Sequence, residues 1–194
     1  MSSSTKRATV NLNNWYYAPE AFSAEEIDKI HKLAETIEFR EGVLNAGSNK
    51  HNSYRKSEVK WLDQEMEGIE WLYEKFTELI IEANNSTWQF EINEELKKIQ
   101  YSVYHGDGGH YDWHMDLGGG IAAERKISIV VQLSSPEEYD GGEFEIFVQK
   151  DVIEFPKKQG SVVLFPSYYM HRVSPVTGGE RKSLVLWVTG IPFR

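Results

Sequence analysis

The chain has 194 residues, which is the size of one ordinary domain. Its 30 acidic and 21 basic residues give a formal charge of -9, so its average surface repels nucleic-acid phosphates and anionic lipids. It contains no cysteine, which excludes disulfides, thiolate metal ligands and thiol nucleophiles, and any metal must be bound by histidine and carboxylate side chains. No apolar run is long enough for a membrane span or a secretory leader, and we expect a cytoplasmic location.

The first predicted element is a helix. Residues 1–13 are polar and lack a hydrophobic period, which predicts a loose lead-in. Ser23 can cap a helix, with Glu26 as its partner in a capping box. Apolar residues then recur at helical spacing as far as Ile37, before Gly42.

A loop and a second helix are predicted next. Residues 41–58 mix glycine, asparagine, serine and charged residues without a period, which predicts a long surface loop. A second helical stripe starts near Asp63 and ends around Asn84 and Asn85, where polar turn formers replace the apolar period.

From residue 87 the apolar pattern changes from helical to alternating, which is typical of strands. Short strands with glycine-rich corners after two helices predict an α+β, mainly β protein, a sandwich or jelly roll with the helices packed on one outer sheet. We treat residues 1–194 as a single domain, with helical support and a loop at 14–86 and the β core at 87–194. The predicted strands are residues 87–92, 96–105, 125–134, 143–148, 160–165, 171–175 and 181–189.

His114 and Asp116 form a candidate metal-binding pair, because residues i and i+2 of an extended segment point to the same face. Alone, the pair is equally well explained as two solvated side chains at a strand end. His171, on a different predicted strand, supplies a third ligand. Two histidines and one carboxylate form the facial triad of non-haem Fe(II) oxygenases, whereas a closed structural zinc site needs a fourth protein ligand.

Arg181 is the candidate for binding an acidic co-substrate. An Fe(II) oxygenase needs electrons from such a co-substrate, and 2-oxoglutarate has a distal carboxylate that a guanidinium can hold bidentately. The alternation along the last predicted strand places Ser183 and Trp187 on the same face as Arg181. Without the triad, a surface ion pair would be the better interpretation of Arg181.

Three stretches resemble one known family: YHGDGGHYDWHMD at 104–116, RKISIVVQLSSPEEYDGGEFEIF at 125–147 and HRVSPVTGGERKSLVLW at 171–187. The family is that of the Fe(II)- and 2-oxoglutarate-dependent prolyl hydroxylases of bacteria, phages and animals. The resemblance covers roughly residues 96 to 190, and WYYAPEAFSAEEIDKI at 15–30 is also similar to the lead-in of the family. It implies a double-stranded β-helix, a form of jelly roll, as the β core.

The resemblance implies site residues at the matching positions. His114, Asp116 and His171 would bind iron and act in catalysis together with Arg181, which would bind the distal carboxylate of 2-oxoglutarate. Tyr104 falls where the family has a tyrosine whose hydroxyl meets the same carboxylate.

Four further positions match less directly. Ser128 falls where the family often has a small hydroxyl residue beside the co-substrate, and we add Ser183 to this co-substrate set. Gln132 occupies the place of a second tyrosine in the animal members, so the contact that this tyrosine makes with the co-substrate is altered here. Trp187 matches a family tryptophan near the iron, although an inward-facing indole is equally well explained as core.

The remaining candidates concern the substrate. Tyr111 and Trp113 flank the metal-binding pair and would line a substrate mouth, with ordinary packing as the alternative. Arg55, in the predicted loop, resembles part of a flexible arm that family members close over a peptide. A polar loop without function is its alternative.

The predicted function is hydroxylation of an unactivated C–H bond, on a prolyl residue of a protein, with release of succinate and CO2. The resemblance implies Fe(II), 2-oxoglutarate and O2 as cofactor and co-substrates, with ascorbate as an auxiliary, in the cytosol of a bacterium or a phage-infected host. We expect a protein or peptide partner and neither nucleic acid nor membrane.

Three alternatives remain open. The first is an oxygenase that acts on a small molecule or another residue type; a nucleic-acid demethylase is disfavoured by the charge and by the absence of a second arginine closely following Arg181. The second is a non-catalytic jelly roll that binds a metal or a small acid. The third is a zinc or manganese hydrolase with Asp112 as general base.

Overall fold

The computed structural model describes residues 15–41, 54–93 and 95–193 of the chain. The lead-in at 1–13 and most of the loop predicted at 41–58 lie outside the described residues. None of the described helices is long and apolar enough to cross a membrane.

Helix α1 spans Ala24–Glu35 and confirms the predicted capping box. The backbone N–H of Glu26 donates to Ser23 Oγ over 3.3 Å, and the N–H of Ser23 donates to Glu26 Oε2 over 2.8 Å. These bonds satisfy two of the backbone donors that a helix start leaves free.

Helix α2 spans Glu70–Ser86, so the predicted start near Asp63 is wrong. The residues after Asp63 form a turn in which Gly68 has a φ of +78°, a backbone conformation that interrupts a right-handed helix. Met66, which the apolar stripe assigned to the helix, lies in this turn and packs against the core from there.

The described residues contain twelve strands, and the protein is mainly β. The strands are β1 Tyr16–Ala18, β2 Arg40–Glu41, β3 Arg55–Lys56, β4 Glu58–Leu62, β5 Ile99–His105, β6 Gly109–His114, β7 Arg125–Gln132, β8 Tyr139–Gly141, β9 Phe144–Val148, β10 Asp151–Glu154, β11 Val162–Pro166 and β12 Met170–Thr189.

Two antiparallel sheets share β12. The first sheet has the order β1-β11-β7-β12-β5-β4-β2, and the C-terminal half of β12 lies between β5 and β7. In the second sheet, the N-terminal half of β12 pairs with β6, β8 and β9, while β3 adds to β6 and β10 adds to β9.

Several strand predictions are wrong in detail. Residues 87–92 do not form a strand: Ile92 makes only an isolated bridge to Gly190. The Asn84 side chain instead bonds both the N–H and the carbonyl of Phe90, which holds this segment as a turn. A side-chain bond of this kind leaves no periodic trace in a sequence.

Other strands were missed or divided. β3 lies within the predicted surface loop, β4 extends beyond it, and β6 and β10 lie outside every predicted strand. The predicted break between the last two strands is absent, because β12 continues through Gly178 and Gly179 with shifts of register.

The core has two parts. Both helices pack on one face of the first sheet, where Ile30 of α1 and Phe76 of α2 are fully buried against strand residues such as Ile129 and Leu186. A second cluster, which includes Val130, Phe144, Phe165 and Val173, contains residues from both sheets. The helices therefore support the sheet from the side opposite this cluster.

Candidate metal and co-substrate site

The three predicted metal ligands come together beside the second cluster. His114 at the end of β6 and His171 at the start of β12 are directly opposed across the strand pair, so their side chains point to one face. Asp116 lies just beyond β6, where its N–H donates to the carbonyl of Ser167 over 3.1 Å. The ligand atoms of the three residues lie within 4.8 Å of one another.

Backbone carbonyls orient both imidazoles. His114 Nδ1 lies 2.7 Å from the carbonyl oxygen of Asp112, and His171 Nδ1 lies 3.0 Å from that of Tyr169. A carbonyl can only accept, so each Nδ1 carries a proton and Nε2 is the nitrogen of each ring that can bind a metal. His114 Nε2 is 3.8 Å and His171 Nε2 is 3.4 Å from the Asp116 carboxylate. This is the arrangement of histidines that bind a metal.

Burial and neighbouring groups shift the pKa values of His114 and Asp116. Burial, with a smaller effect from His171, lowers the pKa of His114 to about 3, which keeps its imidazole neutral at physiological pH. Burial alone would raise the pKa of Asp116, but the two histidines and the Ser128 hydroxyl outweigh it and hold that pKa below its usual range. The site therefore offers two imidazole nitrogens and one carboxylate oxygen to a cation, a set that fits Fe(II).

Ser128 holds the Asp116 carboxylate by a hydrogen bond. Its hydroxyl donates to Asp116 Oδ2 over 2.6 Å and lies 2.9 Å from Ser167 Oγ. Ser128 was predicted to lie beside the co-substrate, and the structure places it against a candidate metal ligand.

A cavity of about 650 Å³ contains the triad. Tyr104, Arg181 and Ser183 line it, so three of the predicted co-substrate residues share the cavity with the three metal ligands. These three residues line the same cavity because β5 pairs with β12. In this pairing Arg181 lies opposite Tyr104, and Ser183 lies opposite Ser102.

Arg181 is buried without an anionic partner among the described residues. Arg181 is 1% exposed, its Nη1 donates to Ser183 Oγ over a long 3.3 Å, and its Nε has no acceptor in the described part of the chain. A buried guanidinium without a counter-charge is costly unless a ligand supplies the charge. The environment of Arg181 therefore fits a bound carboxylate such as the distal one of 2-oxoglutarate.

Tyr139, which the sequence reasoning missed, is tied to this guanidinium. Gln132 Nε2 donates to the Tyr139 hydroxyl over 3.0 Å, and the Arg181 guanidinium lies against the same hydroxyl. Burial raises the pKa of Tyr139, although Arg181 and Lys157 partly oppose the effect. The replacement of a family tyrosine by Gln132 was the available clue, but the partner of Gln132 could not be read from the sequence.

Arg55 and Tyr111 lie beside the metal ligands. The Tyr111 ring stacks on His114 with 3.5 Å between ring centroids, and Arg55 Cζ lies 4.6 Å from the centroid of Tyr111. Arg55 is 8% exposed, and its Nε donates to Ser57 Oγ, while its buried Nη2 has no partner among the described residues.

The two predicted tryptophans differ in their surroundings. Trp113 lines the cavity and makes an edge contact with Phe147, and Arg172 lies over its ring. Trp187 also lines the cavity; Arg125 Cζ lies 4.0 Å from the centroid of its ring, and its buried Nε1 has no acceptor among the described residues.

Comparison with known proteins finds similarity to one family of enzymes. Residues 99–189 match the model of the 2OG-Fe(II) oxygenase superfamily. A PKHD-type hydroxylase of a Synechococcus species is 29% identical over 180 residues, which cover 89% of this chain and 76% of that protein. These matches support a 2OG-Fe(II) oxygenase. Its cofactor is accordingly Fe(II), and its co-substrates are 2-oxoglutarate and O2.

Solved structures of prolyl hydroxylases share the fold of this oxygenase. A Pseudomonas putida prolyl-4-hydroxylase superposes with a TM-score of 0.73 at 17% identity, over 92% of this chain and 93% of that one. A Trichoplax adhaerens prolyl hydroxylase, in complex with a peptide fragment of the hypoxia inducible factor, superposes with a TM-score of 0.75 at 20% identity, over 93% and 86% of the two chains.

Proposed function

We propose that this oxygenase hydroxylates a prolyl residue of a protein or peptide and releases succinate and CO2. The observation that carries the proposal is that one cavity contains the His114, Asp116 and His171 group together with Arg181, which is buried and has no carboxylate partner among the described residues. The prolyl residue is supported by the likeness in fold to the two prolyl hydroxylases and by the sequence resemblance.

Each residue has a defined task in this proposal. His114, Asp116 and His171 would hold Fe(II), and Arg181, with Ser183 and Tyr104 beside it, would hold the distal carboxylate of 2-oxoglutarate. Iron, 2-oxoglutarate and O2 together supply the oxidation, in which one oxygen atom enters the substrate C–H bond and the other enters succinate.

The chain itself orients and protects the reacting groups. The Nδ1 bonds to backbone carbonyls fix the direction of both imidazoles, and the Tyr111 ring covers one face of His114. The Ser128 hydroxyl donates to Asp116 Oδ2 and so holds the carboxylate in place. These contacts restrict how the ligands can turn, and the surrounding burial limits the access of water.

We also infer that the two sheets around this cavity form the double-stranded β-helix and that residues 1–194 form one domain. Both inferences are supported by the sheets that share β12 and by the fold similarity.

A peptide is favoured as substrate because large side chains in the cavity wall are also exposed at the protein surface, where a peptide could contact them. Trp61 and Met115, both in the cavity wall, are 37% and 52% exposed. Arg55 Nη2, a buried donor without a partner among the described residues, is the candidate contact for a backbone carbonyl of the substrate.

The test compares wild type, His171→Ala, Arg181→Ala and the surface control Lys158→Ala. Each protein is loaded anaerobically with Fe(II) and 2-oxoglutarate, air is admitted with or without ascorbate, and succinate is measured. We expect wild type and Lys158→Ala to form succinate, and we expect the other two variants to lose this activity at moderate 2-oxoglutarate.

Peptides that contain proline are then added, and mass spectrometry locates any added oxygen. Oxygen on a prolyl residue supports the proposal, and oxygen on another residue overturns the prolyl assignment. If Arg181→Ala binds 2-oxoglutarate as tightly as wild type in an anaerobic titration, the role of Arg181 is wrong.

A further inference from the structure

A second groove adjoins the active-site cavity. It has a volume of about 790 Å³ and is lined by residues 36–40 after α1, by Trp61 of β4, by Lys97 and Lys98 before β5, and by Trp187 of β12. Trp61, Arg125 and Trp187 line both spaces, so the groove continues directly from the cavity that holds the triad. We call it the basic groove.

The charge of the basic groove opposes that of the whole chain. Its lining contains the cations Arg40, Lys60, Lys97, Lys98 and Arg125, but Glu38 is the one carboxylate among the described residues that line it. The chain as a whole has a formal charge of -9. The groove is therefore a local positive region on an acidic protein.

Two of these cations lack a carboxylate partner among the described residues, namely Arg40 and Lys60. Arg40 is exposed and makes no ion pair with another side chain that the structure describes. Lys60 is only 8% exposed, its Nζ donates to the carbonyl of Ala34 over 2.7 Å, and it lies 3.9 Å from the ring centroid of Phe39. A shielded ammonium without a counter-charge attracts an anion more strongly than a fully solvated one.

The other cations have weak or shared partners. Lys97 pairs with Glu95, and both side chains are more than half exposed. Lys98, also more than half exposed, pairs with Asp63, which is partly buried. Exposed ion pairs contribute little to stability, so these lysines can exchange their partners easily. Arg125 Nη1 lies 3.9 Å from Asp116 Oδ1, at the junction of the groove with the active site.

Aromatic side chains also line the basic groove. The rings of Trp61 and Trp187 lie 6.3 Å apart, and Phe39 is 45% exposed. The buried Nε1 of Trp187 has no acceptor within the described part of the chain, so it can donate to a ligand at the junction. Aromatic rings beside cations suit a peptide segment that has both apolar and acidic side chains.

We propose that the basic groove binds acidic residues that adjoin the hydroxylated residue in a peptide substrate. This inference rests on the proposed function, because it assumes a peptide substrate. An acidic segment would be repelled by most of this surface and attracted here, so the groove selects acidic sequences and sets the direction in which the peptide enters.

The test uses two fluorescent proline-containing peptides of equal length. One has Asp and Glu next to the proline, and the other has Asn and Gln at the same positions. Their binding to the zinc-loaded protein with 2-oxoglutarate is measured by fluorescence anisotropy, and their hydroxylation by the iron-loaded protein is measured by mass spectrometry. The variants are Arg40→Glu and the control Lys150→Glu, which makes the same charge change at an exposed position outside the groove.

We expect the acidic peptide to bind wild type more tightly than the amide peptide. Arg40→Glu should weaken binding of the acidic peptide by about fivefold or more, whereas Lys150→Glu should leave it nearly unchanged. High salt should remove most of the difference between the peptides. Succinate formation without peptide should be the same in both variants, because Arg40 touches none of the metal ligands.

The outcomes separate this inference from the proposed function. Equal binding of both peptides, no binding of either, or equal effects of the two variants overturns the groove proposal. If both peptides are hydroxylated equally well, the prolyl function stands and the groove proposal fails. If the acidic peptide binds through Arg40 but neither peptide is hydroxylated at proline, the groove proposal stands and the prolyl assignment fails.

Discussion

At the scale of single residues, the site shows how strongly neighbours decide what a side chain can do. Ser128 and Gln132 both lie on β7 and were both assigned to the co-substrate, yet the structure gives them different partners. Ser128 bonds Asp116, and Gln132 bonds Tyr139. Ser128 therefore acts on the metal site through Asp116, and Gln132 acts on Arg181 through Tyr139.

The first prediction concerns Tyr139→Phe. Loss of the hydroxyl removes its hydrogen bond with the Arg181 guanidinium, so the affinity for 2-oxoglutarate should fall. A hydrogen bond contributes about 0.5–1.5 kcal/mol, which corresponds to a loss of about twofold to tenfold. The measurement is an anaerobic titration of the metal-loaded protein with 2-oxoglutarate.

Oxalate provides the control for this prediction, because it chelates a metal but has no distal carboxylate. Its affinity should be the same for Tyr139→Phe and wild type. An equal loss of affinity for both ligands would mean that Tyr139 supports the fold of the cavity rather than the carboxylate end.

At the scale of elements, β12 determines the layout of the site. Its N-terminal half carries His171 in the second sheet, and its C-terminal half carries Arg181 in the first sheet. Register shifts on either side of Val176 let one strand belong to both sheets. β12 thus fixes the distance between a metal ligand, His171, and Arg181, the cation that is the candidate for binding the co-substrate.

Gly179 is the critical position of this transition. Its φ is +67°, and a Cβ at this position would lie 1.9 Å from the carbonyl oxygen of Glu138. Gly179→Ala should therefore destabilise the protein by about 2 kcal/mol or more, from backbone strain and from the clash. Gly119→Ala is the matched control, because a Cβ there meets no atom within 4 Å.

Urea unfolding of both variants checks this prediction. The midpoint should fall clearly for Gly179→Ala and stay close to wild type for Gly119→Ala. Equal midpoints would show that β12 can relax around the added methyl group.

Glu143 links β12 to the loop before β11, and its ionisation should make stability depend on pH. Burial alone would raise the pKa of Glu143, but hydrogen bonds from Ser174 and Lys157 outweigh it and lower that pKa to about 2. The folded state then binds a proton less readily than the unfolded state. The stabilisation is complete above the unfolded pKa of about 4.3 and is lost as the pH falls toward 2.

Urea unfolding at a series of pH values tests this linkage. Glu143→Gln should be less stable than wild type near neutral pH, and the difference should shrink in acid. Glu154→Gln, at an exposed position of β10, should follow the wild-type curve. A constant difference between Glu143→Gln and wild type at all pH values would contradict the assigned pKa.

At the scale of the whole molecule, the metal site joins parts of the chain that are distant in sequence. β6 supplies His114 and β12 supplies His171, and the carboxylate of Asp116 lies between them. A metal ion that binds only the folded state should therefore stabilise the whole fold.

Thermal unfolding with Co(II) tests this expectation. At a metal concentration of about one hundred times the dissociation constant, the gain is about 2.7 kcal/mol, or an increase in Tm of about 5–10 °C. EDTA should reverse the increase. Asp116→Asn should show little increase, and an increase equal to that of wild type would mean that Co(II) binds elsewhere.

The sequence by itself determined the class of this protein and its main candidate residues. The absence of cysteine restricts metal ligands to histidine and carboxylate, and strand alternation indicates which side chains share a face. These local rules were sufficient to select His114, Asp116, His171 and Arg181 and to predict a mainly β chain with two helices. Ser23 and its capping box were confirmed for the same reason, because a helix start depends on residues close in sequence.

Only the tertiary structure decided how distant strands pair. The bond from Gln132 to Tyr139, the place of Ser128 behind Asp116 and the continuity of β12 all depend on register between strands, which local periodicity does not encode. The later start of α2 and the turn at residues 87–92 depend on a glycine conformation and on one asparagine side chain. The basic groove likewise exists only because folding brings residues 36–40, Lys97 and Trp187 to one surface.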